Sequence, residues 1–252
     1  MRLGKKKQPE LPETASPPLE GNDPGNQEIR DLSQNKHSVN PSRLGICLEG
    51  IPYMGMAALG TLVFALLGWK VLSVLALAVT LGIVHFFRDP ERVVPAEENA
   101  AVSPADGRVL DVQSKPDPVS KQQRPRISIF MNVFDVHVNR TPISGRVTNM
   151  VYHEGRFRRA SLGRADQSNE RNIIVIEDQD GHSWSMVQVA GLIARRIVCW
   201  ADRGDELRRG QRVGLIKFGS RVDLYMPEGY EIKVRPGDRV YAGQSILARK
   251  EE

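Results

Sequence analysis

The sequence predicts a mainly β domain, a β-sandwich, carried behind an apolar helical hairpin. Three observations predict it. Short β-rich runs separated by turn residues fill the chain from Ala101 onward. Two apolar segments, residues 51–69 and 71–87, precede them with only Lys70 between. A turn pattern, Gly204-Asp205 followed by Gly210-Gln211, returns with the same spacing as Gly237-Asp238 and Gly243-Gln244. Each copy reads as a hairpin tip between two strands. Two copies are too few for a solenoid and suit two similar hairpins packed face to face.

Residues 1–45 read as a disordered tail. Lys5-Lys6-Lys7 leads into Pro, Glu, Asn, Gly and Ser with few large apolar residues to bury. The basic start fits acidic lipid heads or plain solvent equally. Residues 46–88 read as a membrane-associated helical hairpin. One helix over both apolar segments would be about 55 Å long, too long for a single crossing, so a turn near Gly68-Trp69-Lys70 is expected. Arg43 before the segments and Arg88 and Arg92 after them place both ends on the cytoplasmic side of a cell membrane. Two full spans, a shallow hairpin in one leaflet and a pair of buried soluble helices all fit the pattern. His85, at the end of the second segment, reads as a packing or interfacial residue.

Residues 89–252 read as the β-rich domain, entered through an extended linker containing Pro90 and Pro95. Its expected strands are residues 109–112, 127–138, 173–177, 185–189, 197–200 and 213–218, with Asp180-Gly181 as a hairpin turn. Residues 156–164 read as a basic loop or short helix. Arg156, Arg158, Arg159, Arg164, Arg195 and Arg196 offer charge to anionic lipid, or simply a solvated face.

The totals narrow the function. The chain has 252 residues, enough for one large or two smaller domains with a real core. A net charge of +5 suits nucleic acid or an anionic membrane surface, and with 6% aromatics and no nucleic-acid motif the membrane is favoured. Cys47 and Cys199 are too few for a disulfide framework and point to a reducing compartment. No Cys/His cluster suggests a metal.

The stretch from Gly214 to Asp223 holds the sharpest chemical signal. Gly219 has no Cβ, so its carbonyl can be approached closely, and Ser220 offers a hydroxyl one residue later. A hydroxyl driven onto that carbonyl turns the amide into an ester. Elimination then cuts the chain and leaves a dehydroalanine that hydrolyses to a pyruvoyl group. A bend in a strand explains the same pair. Two other residues stand out. Asp106 sits in a Pro-Ala-Asp-Gly turn, where an aspartate is also ordinary turn chemistry. His137 lies in an alternating run whose period puts Asp135, His137 and Asn139 on one face and Phe134, Val136 and Val138 on the other. The ordinary pKa of a histidine suits acid–base work near neutrality. His153 and His182 receive no role.

Four motifs occur in order: Phe86-Phe-Arg-Asp-Pro-Glu-Arg92, Ser103-Pro-Ala-Asp-Gly-Arg-Val109, Asn132-Val-Phe-Asp-Val-His-Val-Asn-Arg-Thr-Pro142 and Phe218-Gly-Ser-Arg-Val-Asp223. Over residues 51–252 the chain resembles the phosphatidylserine decarboxylase family, most closely its short archaeal-type branch. The resemblance implies a proenzyme that cuts itself between Gly219 and Ser220. A large β chain, residues 1–219, and a small α chain, residues 220–252, then form a heterodimer. It implies a pyruvoyl group made from Ser220, with no metal or nucleotide, that forms a Schiff base with the amine of membrane phosphatidylserine. Carbon dioxide leaves and phosphatidylethanolamine is released. Asp106 and His137 become members of the catalytic and self-cleavage machinery. Longer relatives carry a second histidine where this chain has Arg140, so either His137 serves twice or another group deprotonates Ser220. They carry threonine where this chain has Arg221; Arg221 and Arg140 are candidates for holding the substrate's carboxylate or phosphate. The hairpin tips resemble those of biotinyl and lipoyl carrier domains, but Lys217 lies inside an apolar run rather than on an exposed turn, which argues against a carrier. Two alternatives remain: a non-catalytic membrane-tethered adaptor, and a pyruvoyl decarboxylase with another amino acid or lipid head group as substrate.

Overall fold

A computed structural model describes residues 45–155, 169–191, 196–217 and 220–251. The tail, the basic loop 156–164, Arg195 and Gly219 lie outside those residues. The chain from residue 45 begins with a single 3-10 turn, Leu48–Gly50, that runs into helix α1, Ile51–Leu66; helix α2 is Lys70–Phe86. The turn between them falls where the sequence places it, with Gly68 at φ +73. A side chain there would be strained, so glycine is needed. The helices fold back on one another, and the Thr61 and Thr80 hydroxyls meet at 3.0 Å. Nothing in α1 is buried, and only Phe86 is buried in α2. An apolar surface this large and this exposed calls for a nonaqueous partner.

The foot of the hairpin is closed by backbone. Cys47 N–H donates to the Phe87 carbonyl at 2.8 Å, Asp89 N–H donates to the Gly45 carbonyl at 2.6 Å, and Ile46 bridges Arg88. Gly50 lets the Phe87 ring close in; a Cβ there would lie 2.4 Å from it. Cys47 is a buried free thiol.

Fourteen strands follow among the described residues. They are β1 (Ala100–Val102), β2 (Gly107–Pro116), β3 (Gln123–Met131), β4 (Val138–Arg140), β5 (Gly145–His153), β6 (Arg171–Glu177) and β7 (Ser183–Ala190). The rest are β8 (Ile197–Cys199), β9 (Glu206–Leu207), β10 (Arg212–Ile216), β11 (Ser220–Tyr225), β12 (Tyr230–Ile232), β13 (Arg239–Val240) and β14 (Ile246–Lys250). The fold is mainly β, as expected. One large curled sheet has the order β13-β2-β3-β11-β7-β6-β5-β9, and two small sheets run β1-β14-β12 and β4-β10-β8. The main core joins Ile127, Ile129, Met131, Val222 and Leu224 of the large sheet to Ala101, Leu247, Val213 and Ile216 of the small ones. A second cluster packs Cys47, Phe86 and Phe87 against Val136, Val138 and Leu215, so the β4-β10-β8 sheet carries the hairpin.

The repeated turn pattern has matching geometry. Gly204 and Gly237 take φ +98 and +97, and Gly210 and Gly243 take φ +78 and +72. Gly204 N–H donates to the Val147 carbonyl and Gly237 N–H to the Val109 carbonyl, both at 2.8 Å. The receiving segments match too. Ser103-Pro-Ala-Asp-Gly-Arg-Val109 and Thr141-Pro-Ile-Ser-Gly-Arg-Val147 each begin with a hydroxyl donating two residues ahead, to Ala105 and Ile143. In each, a Cβ on the glycine would lie 2.2 Å from a neighbouring strand's carbonyl oxygen.

One expected strand is two. Residues 127–138 do not run as a single strand: β3 ends at Met131 and β4 starts at Val138. Asn132 and Asp135 hold a turn between them. Asp135 N–H donates to the Asn132 carbonyl at 3.0 Å, and Asn132 N–H donates to Asp135 Oδ2 at 2.8 Å. The alternation of faces fails there: Phe134 is 72% exposed, whereas Val136 and Val138 are buried.

Candidate active site

Ser220 opens β11, a strand bonded on both sides. It pairs with Met131 of β3 and Ala190 of β7, and all six residues of β11 are buried. Alternation places Ser220 with Val222 and Leu224, which face the main core. Its hydroxyl is buried and has no hydrogen-bond partner among the described residues. An orphaned buried polar atom costs about 1–3 kcal/mol and calls for an explanation, of which a chemical role is one.

His137 carries the second orphan. Its ring is fully buried and packs at a tilt against Phe86, with centroids 4.2 Å apart. Nδ1 lies 2.9 Å from the Asp135 carbonyl oxygen. A carbonyl only accepts, so Nδ1 carries the proton and Nε2 keeps its lone pair. Nε2 is the buried atom without a partner among the described residues. Burial drives the His137 pKa down to about 4, against a smaller upward pull from the Asp135 hydrogen bond and charge. The ring is therefore a neutral base at neutral pH.

Two links run from the His137 strand toward the Ser220 strand. Ile216 N–H, at the end of β10, donates to the His137 carbonyl at 3.4 Å, and the chain from Ile216 leads to Ser220. Asn139, two residues after His137, donates from Nδ2 to Met131 Sδ at 3.6 Å, and Met131 is the register partner of Ser220. Asn139 is itself held: Gln188 Nε2 donates to its Oδ1 at 2.9 Å, and Asn172 Nδ2 donates to Gln188 Oε1 at 2.9 Å. This buried amide chain across β4, β7 and β6 orients the site, and no sequence pattern announced it.

Asp106 is buried on the turn before β2. Oδ1 accepts the Ala242 N–H at 2.7 Å and Oδ2 accepts Arg92 at 2.8 Å. Burial nevertheless pushes its carboxyl above the usual range, outweighing the Ala242 hydrogen bond and the Arg92 charge. Neither oxygen bonds His137; the carboxylate nearer the ring is Asp135. The Asp135 carbonyl accepts the Nδ1–H hydrogen bond, while the Asp135 Oδ1 pairs with Arg239. Sequence reasoning placed Asp135 on the right motif but gave it no task.

Arg221 and Arg140 do not join this group. Arg221 alternates to the opposite face of β11 from Ser220. It pairs with Asp223 at 2.9 Å, and Asp223 also meets Ser128 and Arg126. Arg140 donates to the Gly210 and Pro90 carbonyls and lies 3.4 Å from Asp89, which also holds Arg212. Its work is to fasten the linker after the hairpin. Lys217 stands closer to the site in sequence. It is buried, with Nζ 3.3 Å from the Tyr53 hydroxyl and 4.9 Å from that ring's centre. Tyr53 in turn stacks on Phe87 at 5.6 Å, so Lys217 ties the strand before Ser220 to the hairpin foot.

A family model described as phosphatidylserine decarboxylase matches residues 79–248. A phosphatidylserine decarboxylase proenzyme of Nitratidesulfovibrio vulgaris is 54% identical over 211 residues, which cover 84% of this chain and 97% of that protein. One of Oleidesulfovibrio alaskensis is 53% identical over 221 residues, 88% of this chain and 98% of that protein. One of Geotalea uraniireducens is 50% identical over 202 residues, 80% of this chain and 95% of that protein.

Proposed function

This chain belongs to the phosphatidylserine decarboxylase family, and on that premise we propose that it converts phosphatidylserine to phosphatidylethanolamine and carbon dioxide after cutting itself before Ser220. The observation that carries the reading is the pair of orphaned buried atoms, Ser220 Oγ and His137 Nε2.

Each residue has a task under this reading. With its proton committed to the Asp135 carbonyl, His137 offers the Nε2 lone pair to the Ser220 hydroxyl. Freed of that proton, Oγ adds to the Gly219 carbonyl, and the peptide bond becomes an ester. Elimination from residue 220 then separates residues 1–219 from 220–252. Elimination leaves a dehydroalanine, and water converts it to a pyruvoyl group with loss of ammonia; the residues fit that group, since position 220 is buried and flanked by uncharged Met131 and Ala190. That group supplies an electron sink for the bond to the departing carboxylate. His137 Nε2 can take a proton from the substrate's ammonium as the amine is captured and return it to the carbon that loses carbon dioxide. Asp106, kept buried between Arg92 and the Ala242 N–H, stabilises positive charge developed near the site during self-cleavage. No step in this scheme assigns Arg221 or Arg140 to substrate.

The hairpin holds the enzyme at its substrate's bilayer, on the cytoplasmic face. From Leu48 to Leu66 the chain is long and apolar enough to cross a membrane by length and composition. Nineteen residues span about 28 Å, close to a hydrocarbon core of about 30 Å. Arg88 and Arg92 at the exit favour the cytoplasmic side. The β domain reads as two copies of one hairpin unit; the matched glycine angles and hydrogen bonds of the two turn patterns support that.

Gel and mass analysis of purified protein test the proposal. Two chains are expected, the smaller beginning at position 220 with a blocked N-terminus, and membranes carrying phosphatidylserine should yield phosphatidylethanolamine. Ser220→Ala should remain one chain without activity. Decarboxylation by that variant would remove the mechanism, and an uncut, inactive wild-type protein would favour a tethered adaptor.

A further inference from the structure

The turn between β3 and β4 exposes an aromatic ring on a rigid frame. Phe134 is 72% exposed and Val133 is 42% exposed. The turn is braced. Phe134 N–H donates to Asn132 Oδ1 at 2.8 Å, Asn132 and Asp135 hold one another, and Arg239 pairs with Asp135. A single exposed apolar side chain is ordinary on a soluble surface, but Phe134 and Val133 are adjacent and lie next to the exposed apolar hairpin, and such a continuous apolar surface marks a contact site.

The position of the turn says what it meets. Arg88, directly after α2, donates from Nη1 to the His85 carbonyl at 2.7 Å and from Nη2 to the Phe134 carbonyl at 2.6 Å. One guanidinium therefore joins the last turn of the apolar hairpin to the backbone of the exposed phenylalanine. Both hydrogen-bond partners are neutral carbonyls, and the Asp106 and Asp135 carboxylates act on this charge only at longer range, without a direct ion pair among the described residues. Tyr241, 43% exposed, lies between the guanidinium groups of Arg92 and Arg239, 5.7 and 5.9 Å from its ring centre. An apolar tip with a collar of arginine and tyrosine, continuous with an apolar hairpin, matches the layering of a bilayer interface carrying anionic lipid.

We propose that the turn Asn132–Asp135 is a second membrane contact, in which Phe134 and Val133 enter the interfacial zone of the bilayer while Arg88 meets lipid phosphate. This rests on the reading that the hairpin is bilayer-embedded. Three residues beyond Phe134 stands His137, so the contact seats the active-site strand at the depth of the lipid head groups. The hairpin provides attachment; the turn sets the height and tilt of the site.

The test uses the full chain in vesicles of phosphatidylcholine with or without phosphatidylglycerol, neither a substrate. Phe134→Trp is compared with the parent protein, so that the difference spectrum reports position 134, and Trp69→Phe isolates the contribution of the hairpin tip. Emission from the indole introduced at position 134 should move to the blue. Lipids brominated near the head-group end of the acyl chains should quench it, more strongly with phosphatidylglycerol. Phe134→Ser should lower kcat/KM on phosphatidylserine vesicles by about tenfold, a loss of about 1.4 kcal/mol, while turnover of short-chain phosphatidylserine dispersed below its micelle concentration stays within about twofold. Indole emission at position 134 that is unchanged by vesicles that quench Trp69 overturns the inference and leaves the embedded hairpin standing. Quenching at neither position overturns both.

Discussion

Lowering the pH from 7 to 5 should destabilise the folded chain through His137. Burial holds this ring at a pKa of about 4, against 6.5 for an ordinary histidine. The unfolded chain therefore binds a proton at this position first. The penalty is absent above the ordinary value, grows as pH falls below it, and levels off once the folded ring also protonates near pH 4. The gap between those two values corresponds to about 3 kcal/mol in full, of which about 2 kcal/mol develops between pH 7 and 5. For a chain of this size that is a fall in Tm of about 4–8 °C. The measurement is best made on the uncut Ser220→Ala protein in detergent, by thermal melts at each pH, with and without His137→Gln. Glutamine does not titrate, so its double variant should lack this part of the slope, and the two curves should converge toward pH 5. Parallel curves over that range would show that the ring is either solvated or already charged, and the assignment of Nε2 as a free base would fall with it.

Asp106→Asn keeps the shape and the Ala242 hydrogen bond but removes the charge facing Arg92; self-cleavage, timed from translation on gels, should slow by at least about tenfold, the scale of a single electrostatic catalytic contact. Arg221→Met leaves Asp223 buried without its nearest cation, so stability should fall by about 3 kcal/mol in denaturant melts while KM for phosphatidylserine stays within about twofold. A selective rise in KM would restore Arg221 to the substrate. Lys217→Met removes the ammonium packed on Tyr53 while retaining length, and should loosen the hairpin foot, read as faster proteolysis near residue 50, with self-cleavage still complete.

Much of this molecule was legible from residue order. The turn at Gly68 followed from helix length against bilayer thickness, and β6, β7 and β10 followed from the apolar runs at 173–177, 185–189 and 213–218. What escaped were contacts between distant residues. Period-two counting carried one strand through Asn132 and Asp135 because it sees side-chain faces, not side chains that hydrogen-bond their own backbone and end the strand. Arg92 and Asp106 meet across a linker, and Asn172, Gln188 and Asn139 meet across three strands; no local pattern encodes either. The second echo was partly readable: residues 103–109 and 141–147 share Pro, Gly, Arg and Val in register. Its meaning needed the matched glycine contacts, because so short an identity is common by chance.

Bonding of β11 to β3 and β7 along its whole length gives the proposed scission an asymmetric history. A break before Ser220 leaves every rung of that ladder in place, so the fragments stay clasped without a covalent link. Once pulled apart, they face a different problem from the newborn chain. Reassembly becomes a meeting of two molecules, dependent on their dilution, and the altered end at position 220 can never be resealed. The mature enzyme thus keeps a shape that only its precursor could reach in a single-molecule fold, and its lifetime is set by how slowly that middle strand works loose.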